Sequence, residues 1–144
     1  MKQYLLFSLL LGTFLIHIPE CLAQADFRPG YILLQNGDTL QGEIQYTTAF
    51  DLSKTCIFKG PNQLQKNYWP DQIAGFRFVD GKYFISRELD GEKLFYEYLI
   101  KGQINMYYLR TELEDQYFFD KADVAMMRIP YEEKTVRKDR SVYV

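Results

Sequence analysis

The sequence predicts an all-β protein, in which antiparallel meander hairpins form a small barrel or a two-layer sheet. Two segments carry this prediction: GYILLQNGDTLQGEIQY at residues 30–46 and IAGFRFVDGKYFIS at residues 73–86. Each places β-branched and aromatic residues on both sides of a glycine-containing turn, which is the pattern of a β-hairpin. One short helix near the C-terminus is an alternative to a strand there.

Residues 1–23 have the three-part layout of a secretory signal peptide. A basic residue precedes the uncharged run YLLFSLLLGTFLIHI, and PECLAQ then supplies small residues for cleavage between Ala23 and Gln24. The apolar run is short for a membrane anchor, which needs about 20 residues. The sequence therefore predicts an exported protein, either periplasmic or associated with the outer membrane or cell surface. Lipidation at Cys21 is a weaker alternative, because Glu20 suits that processing poorly.

The rest of the chain has the length of one domain. Residues 24–130 form the predicted β-rich domain, and residues 131–144 form a charged C-terminal tail that offers an edge strand as an alternative. The formal net charge of -2 lacks the basic excess typical of nucleic-acid-binding proteins, so we expect no nucleic-acid partner. No apolar run after the signal peptide reaches the length of a transmembrane helix.

Cleavage removes residues on which several kinds of catalysis depend. The single histidine, His17, lies in the signal peptide, as does one of the two cysteines, Cys21. Histidine-dependent catalysis, internal disulfides and cysteine-rich metal sites are therefore excluded, and no phosphate-binding loop has the required spacing. We expect no catalytic, cofactor-binding or metal-ligating residues. Carboxylate-based hydrolysis of glycans is the remaining enzymatic alternative.

The remaining cysteine, Cys56, lies in the strand-like segment KTCIFK at residues 54–59. A free cysteine in such a segment usually behaves as a small core hydrophobe, so a buried thiol is the main prediction. An exposed thiol that pairs with a second chain is the alternative in an oxidising compartment.

The register of the first hairpin follows from one-sided burial. A three-residue loop, with Gly37 in the left-handed conformation, sets Ile32 opposite Leu40. A two-residue Asn-Gly loop would shift the register by one residue and scatter the apolar side chains over both faces. The longer loop instead gathers them on one face: Ile32, Leu34, Leu40, Ile44 and Tyr46.

The second hairpin contains Asp-Gly at residues 80–81, a strong signal for a two-residue turn. Such a turn sets Phe78 opposite Tyr83 and Phe76 opposite Ile85. All four side chains then share one face, where aromatic cross-strand pairs stabilise a sheet.

The later elements are less clear. Residues 93–101 fit a strand or a short helix ended by the following glycine. Residues 104–110 and 116–120 favour strands through their β-branched and aromatic content. Helix and strand compete over residues 120–128, and Pro130 ends either one.

Aromatic residues occur as sequence neighbours in this region, as in Tyr107-Tyr108. Neighbours on a strand point to opposite faces, so both faces of the later sheet carry rings. Coverage of both faces by a second layer or by barrel closure is the main explanation. The alternative is an exposed surface for a partner protein or a glycan, with Tyr107 and Tyr108 as its candidate residues.

The order of several motifs resembles an uncharacterised family of secreted, β-rich envelope proteins of Bacteroidota. GYI…NGDTL.G.I is followed by an F-K strand, by YWPDQIAGF and KYFIS, and by LIKGQINMYYL. The resemblance covers residues 28–119, whereas Met106 and the segment KADVAMM depart from the family pattern. It implies an all-β envelope domain, favours a strand over a helix at residues 95–99, and implies no catalytic or ligand-binding residues.

We therefore expect an exported, non-catalytic module that binds or assembles with another component of the cell envelope. The predicted partner is an envelope or outer-membrane protein, reached through exposed strand edges or the tyrosine-rich face. A glycan-binding module is the first alternative, and a carboxylate-dependent glycan hydrolase is a weaker one.

Overall fold

The computed structural model describes residues 25–79 and 81–130. The described elements, in chain order, are β1 (Phe27–Leu34), β2 (Thr39–Gln45), α1 (Ala49–Lys54), β3 (Cys56–Lys59), β4 (Gln65–Tyr68), β5 (Ile73–Phe78), β6 (Tyr83–Leu89), β7 (Glu92–Ile100), β8 (Ile104–Arg110), β9 (Asp115–Lys121) and β10 (Val124–Ile129). All neighbouring strands pair antiparallel, and they form one sheet in the order β10-β9-β8-β7-β6-β5-β1-β2-β3-β4. The all-β meander is confirmed, and the sheet is open instead of closed into a barrel.

Several predictions concern residues outside these ranges. They are the signal peptide of residues 1–23, its cleavage between Ala23 and Gln24, and the tail of residues 131–144. All of these remain predictions. In the part of the chain that is described, no helix is long and apolar enough to cross a membrane.

The first hairpin has the predicted loop and register. The Leu34 N–H donates to the Asp38 carbonyl oxygen at 2.8 Å, and Gly37 has a φ of 91°, in the left-handed region. Ile32 pairs with Leu40 as predicted. Ile32 is fully buried, whereas Leu40 stays 42% exposed near the turn. Glycine is favoured at this φ because a Cβ atom would clash with the backbone.

The second hairpin has a longer loop than predicted. The Phe78 N–H donates to the Lys82 carbonyl oxygen at 3.0 Å, which leaves three residues between them. Phe76 pairs with Phe84, so the predicted pairing of Phe76 with Ile85 is wrong by one residue. The predicted pairing of Phe78 with Tyr83 is wrong for the same reason.

This difference arises because the sheet buries apolar side chains on both faces at β6. Phe76 and Phe84 stack on one face, with ring centroids 4.7 Å apart. Tyr83 and Ile85 pack on the opposite face. Placing all apolar side chains on one face predicts the correct register for the first hairpin. It fails for the second hairpin, because β6 carries buried apolar side chains on both faces and either register buries some of them.

Two hydrophobic clusters lie on opposite faces of the sheet. The first is built from α1 and from strands of the first seven: Ile32, Ile44, Leu52, Cys56, Phe58, Ile73, Phe76, Phe78, Phe84 and Phe95. The second is built from β6 to β9: Ile85, Tyr96, Tyr107, Leu109 and Phe118. Neighbours such as Phe95 and Tyr96 enter different clusters because successive strand residues point to opposite faces.

The helix α1 lies in the first half of the chain, where none was predicted. Thr48 begins it: the Thr48 Oγ1 accepts a hydrogen bond from the Asp51 N–H at 3.2 Å and donates to the Asp51 carboxylate at 2.6 Å. This cap satisfies one backbone donor of the first turn, the Asp51 N–H, and the bond between the two side chains holds the Thr48 hydroxyl in place. Leu52 then packs into the first cluster, and α1 lies against β7 and β8.

The ambiguous later segments are strands. Residues 93–101 lie largely in β7, and residues 120–128 comprise the end of β9, a turn and most of β10. The helix alternative for these two segments is therefore wrong. The strand that the family resemblance favours at residues 95–99 is present.

Candidate interaction surface

The two tyrosines predicted to form an exposed surface point to opposite faces of β8. Tyr107 is 0% exposed and packs in the second cluster, with its ring centroid 4.9 Å from that of Tyr98. On this face of β8, side chains from β6, β7 and β9 complete the second cluster. Tyr107 therefore cannot contribute to a surface, and that half of the prediction is wrong.

Hydrogen bonds hold Tyr107 in place. The Tyr107 Oη donates to the Asp120 Oδ2 at 2.7 Å, and the Asn105 Nδ2 donates to the Asp120 Oδ1 at 2.6 Å. The Tyr98 Oη donates to the Asn105 Oδ1 at 2.7 Å. Burial, together with the bond to the carboxylate, raises the pKa of Tyr107 above its ordinary value. Within the described residues no buried side-chain nitrogen or oxygen lacks a partner, so this network is satisfied internally.

Tyr108 lies on the other face and is half-buried. Its Oη donates to the Asp115 Oδ1 at 2.6 Å, and the Arg110 Nη1 lies 2.8 Å from the same oxygen. Burial, with the bond to Asp115, raises the pKa of Tyr108 to about 12. The same bonds from Tyr108 and Arg110 lower the pKa of Asp115. Tyr108 therefore presents a ring whose hydroxyl is already engaged.

Two rows of apolar side chains on this face form a surface that we call the platform, and Tyr108 lies in the second row. The first row crosses β7 to β10 and the second crosses β8 to β10: Ile100, Met106, Phe119 and Met127, then Tyr108, Tyr117 and Ile129. Ile100 and Met127 are 53% and 51% exposed, and the other five are half-buried. Contiguous apolar surface of this kind usually marks contact with another molecule.

The platform ends at β10, which is one edge of the sheet. The pairing of β10 with β9 is irregular between Val124 and Met127. The other edge, β4, is the short polar strand Gln65–Tyr68. Short length and charge protect an edge from pairing with other chains, whereas an apolar edge offers unpaired backbone groups to a partner strand. Of the two described edges, β10 is the longer and carries apolar side chains of the platform, which makes it the better place for a partner.

A groove of about 570 Å³ lies between α1 and the ends of β6 to β9. Several acids line it together with three bases: Asp90, Glu92, Glu112, Glu114, Lys54, Arg110 and Arg128. Hydrogen bonds from Gln116 at 3.1 Å and Arg128 at 2.7 Å lower the pKa of Glu114. A general acid needs the opposite shift, which keeps its proton near neutral pH. The state of Glu114 therefore does not favour the hydrolase alternative.

Cys56 is fully buried in the first cluster. Burial raises the pKa of its thiol well above the usual range. The main prediction of a core cysteine is confirmed, and the alternative of an exposed thiol is wrong. Over residues 25–79 and 81–130, no group of three or more His, Cys, Asp or Glu side chains is placed to hold a metal ion.

The sequence contains a pattern that predicts the platform, and this pattern differs from the pairs of adjacent aromatic residues. Residues two apart share a strand face, and Met106 and Tyr108 are followed by Tyr117 and Phe119, then by Met127 and Ile129. Three successive strands therefore repeat an apolar pair at a spacing of two. Selecting Tyr107 with its neighbour Tyr108 instead mixed one residue of the core with one of the surface.

No family model, curated protein or solved structure matches the chain. The resemblance to secreted envelope proteins of Bacteroidota stays a prediction. The platform and the signal-peptide pattern of residues 1–23 are the two features of the chain that bear on its function.

Proposed function

We propose that this protein is an exported, non-catalytic module that assembles with another protein of the cell envelope through the platform. The observation that carries the proposal is a continuous apolar face that runs across four strands to β10, an edge strand of the sheet that residues 25–79 and 81–130 form. The export step is supported by the signal-peptide pattern of residues 1–23.

The chemistry of the platform favours a partner protein over a glycan. Four of its seven side chains are isoleucine or methionine: Ile100, Met106, Met127 and Ile129. Such side chains pack against apolar protein surface and offer no hydrogen bonds to sugar hydroxyls. The Tyr108 hydroxyl is already bound to Asp115. A partner strand added at β10 would also lay its alternate side chains beside the platform.

Position-specific photo-crosslinking in envelope fractions of the native host tests this proposal. A photoreactive residue replaces Phe119 on the platform or, as the control, exposed Gln41 in the distant strand β2. We expect one dominant envelope protein to be crosslinked from position 119 and not from position 41. Equal capture from both positions, or no capture from position 119, would contradict the proposal.

A matched pair of substitutions separates binding from folding. Met127 and Leu64 are both exposed apolar residues, at 51% and 69%, and only Met127 lies on the platform. Met127→Asp should abolish the crosslink, whereas Leu64→Asp should leave it intact. Loss of the crosslink in both variants would point to general solubility effects and overturn the assignment of the face.

A further inference from the structure

A second groove lies beside the loop of the second hairpin and borders the platform at the end of β7, where its lining residues Leu99 and Lys101 flank Ile100. It encloses about 680 Å³, which is within the usual range of ligand sites. Its charged and aromatic lining comes from β5 to β7 and the residues next to them: Arg77, Lys82, Lys101, Glu97, Tyr83 and Tyr98. We call it the tip groove. Leu99, which is 44% exposed, adds apolar surface.

The charges of the tip groove favour an anion. Its one acid among the described lining residues, Glu97, is neutralised by Lys82, whose Nζ lies 2.7 Å from the Glu97 Oε2. Arg77 and Lys101 are exposed and form no ion pair with any described residue. Among the described lining residues, two cations therefore remain for a ligand, and hydrogen bonds between ionised groups are the strong ones in recognition.

The rings of the tip groove are held in place without a ligand. Tyr83 pairs with Arg77 across β5 and β6, and its ring centroid lies 5.8 Å from that of Tyr98 at an angle of 85°. The Tyr98 Oη donates to the Asn105 Oδ1 at 2.7 Å. Both rings are half-buried, so part of each ring remains open to the groove. Rings ordered in advance cost a ligand less entropy on binding.

We propose that the tip groove binds an anionic oligosaccharide. The carboxylates of the sugar pair with Arg77 and Lys101, while C–H groups of a sugar ring contact the open parts of Tyr83 and Tyr98. Cations beside half-open rings suit a ligand that carries both negative charge and apolar ring surface. The site shares no residue with the platform, so the failure of either proposal leaves the other standing.

Calorimetric titration of the full chain at low salt tests the proposal with three probes. They are hexagalacturonate, a neutral galactose hexamer of the same length, and inorganic phosphate. We expect hexagalacturonate to bind and to shift the backbone NMR signals of Tyr83, Tyr98 and Lys101. The neutral hexamer and phosphate should each bind at least about ten times more weakly, because each supplies only one of the two chemistries.

Two double substitutions remove the same charge from different places. Arg77→Gln with Lys101→Gln should weaken hexagalacturonate binding about twenty-five-fold, at about five-fold for each exposed ionic contact. Lys66→Gln with Lys121→Gln, at exposed positions of β4 and β9, should weaken it less than about three-fold. Equal losses in the two variants, phosphate binding as tight as hexagalacturonate binding, or no preference over the neutral hexamer would each overturn the proposal.

Discussion

Tyr107 and Asp120 are joined across β8 and β9 by a hydrogen bond of 2.7 Å, and the tyrosine is fully buried. The second carboxylate oxygen of Asp120 accepts from Asn105 at 2.6 Å. The ring of Tyr107 fills the second cluster while its hydroxyl satisfies a carboxylate that would be costly to leave without partners. The pair therefore supports the fold and leaves partner contacts to the opposite face.

Substitution of Tyr107 should reveal this structural role. Tyr107→Phe removes one hydrogen bond and should lower the free energy of unfolding by about 1 kcal/mol. Tyr107→Ala also opens a cavity and should lower it by about 3–5 kcal/mol, measured by urea denaturation. Tyr108→Phe, which breaks a bond to the exposed Asp115, should cost less than about 0.5 kcal/mol. A Tyr107→Ala protein as stable as Tyr108→Phe would contradict the burial of Tyr107.

Alkaline pH should destabilise the protein through its buried tyrosines. Burial, with the charges of Glu92 and Asp90 adding to it, raises the pKa of Tyr96 to about 12, whereas an unfolded tyrosine titrates near 10. Because the folded pKa is the higher one, the contribution of Tyr96 is complete below about pH 10 and is lost as the pH rises toward about 12. Urea midpoints should fall over this interval, and Tyr96→Phe should fall less steeply. The same slope in both proteins would exclude Tyr96 as a cause.

Phe118 and Phe119 are neighbours in β9, and their side chains should contribute differently to the free energy of unfolding. Phe118 is 2% exposed and packs edge-on to Tyr96, with ring centroids 5.2 Å apart. Phe118→Ala should lower the free energy of unfolding by about 3–5 kcal/mol. Phe119→Ala, on the half-buried platform, should lower it by about 1 kcal/mol. Similar losses at the two positions in urea denaturation would show that the two faces are assigned wrongly.

The thiol of Cys56 should be unreactive in the folded protein, because burial disfavours the thiolate. Cys21→Ser makes Cys56 the single cysteine of the full chain. We expect a thiol reagent such as dithionitrobenzoate to label this protein only after urea unfolds it, and non-reducing gels to show monomer. Rapid labelling of the native protein, or a disulfide-linked dimer, would contradict the buried position.

The parts of the fold that local chemistry controls could be predicted from the sequence. Gly37 needs a left-handed φ, and burial on one face then leaves a single register for Ile32. The cap of α1 was equally local, since Thr48 followed by Asp51 is a capping pattern that the sequence displays. The sequence analysis does not predict α1, because a helix of six residues is too short to show a helical spacing of apolar residues.

The faces of the later strands could not be predicted in the same way. Ile85 and Phe84 are both buried, one in each cluster, so hydrophobicity alone does not say which register β6 adopts. Tyr107 and Tyr108 are chemically identical, and only the pairing of β8 with its neighbours decides which one is covered. The platform therefore depends on tertiary arrangement, whereas its spacing of two is already present in the sequence.

Gly75 gives the sharpest test of that arrangement, because it lies on β5 between Leu33 of β1 and Ile85 of β6. A Cβ atom at this position would collide with the carbonyl oxygen of Phe84, a backbone atom that cannot rotate away. Gly75→Ala must therefore push β5 and β6 apart, and we expect a loss of about 2–3 kcal/mol in the free energy of unfolding.

Gly102→Ala is the matched control for this substitution. A Cβ atom at Gly102 would meet nothing closer than the carbonyl oxygen of Ile104, at 3.7 Å, so its effect should stay within about 0.5 kcal/mol. Urea denaturation of both variants measures the difference. Equal stability would mean that β5 and β6 lie farther apart at this point, and the register that pairs Gly75 with Ile85 and Phe76 with Phe84 would then be wrong.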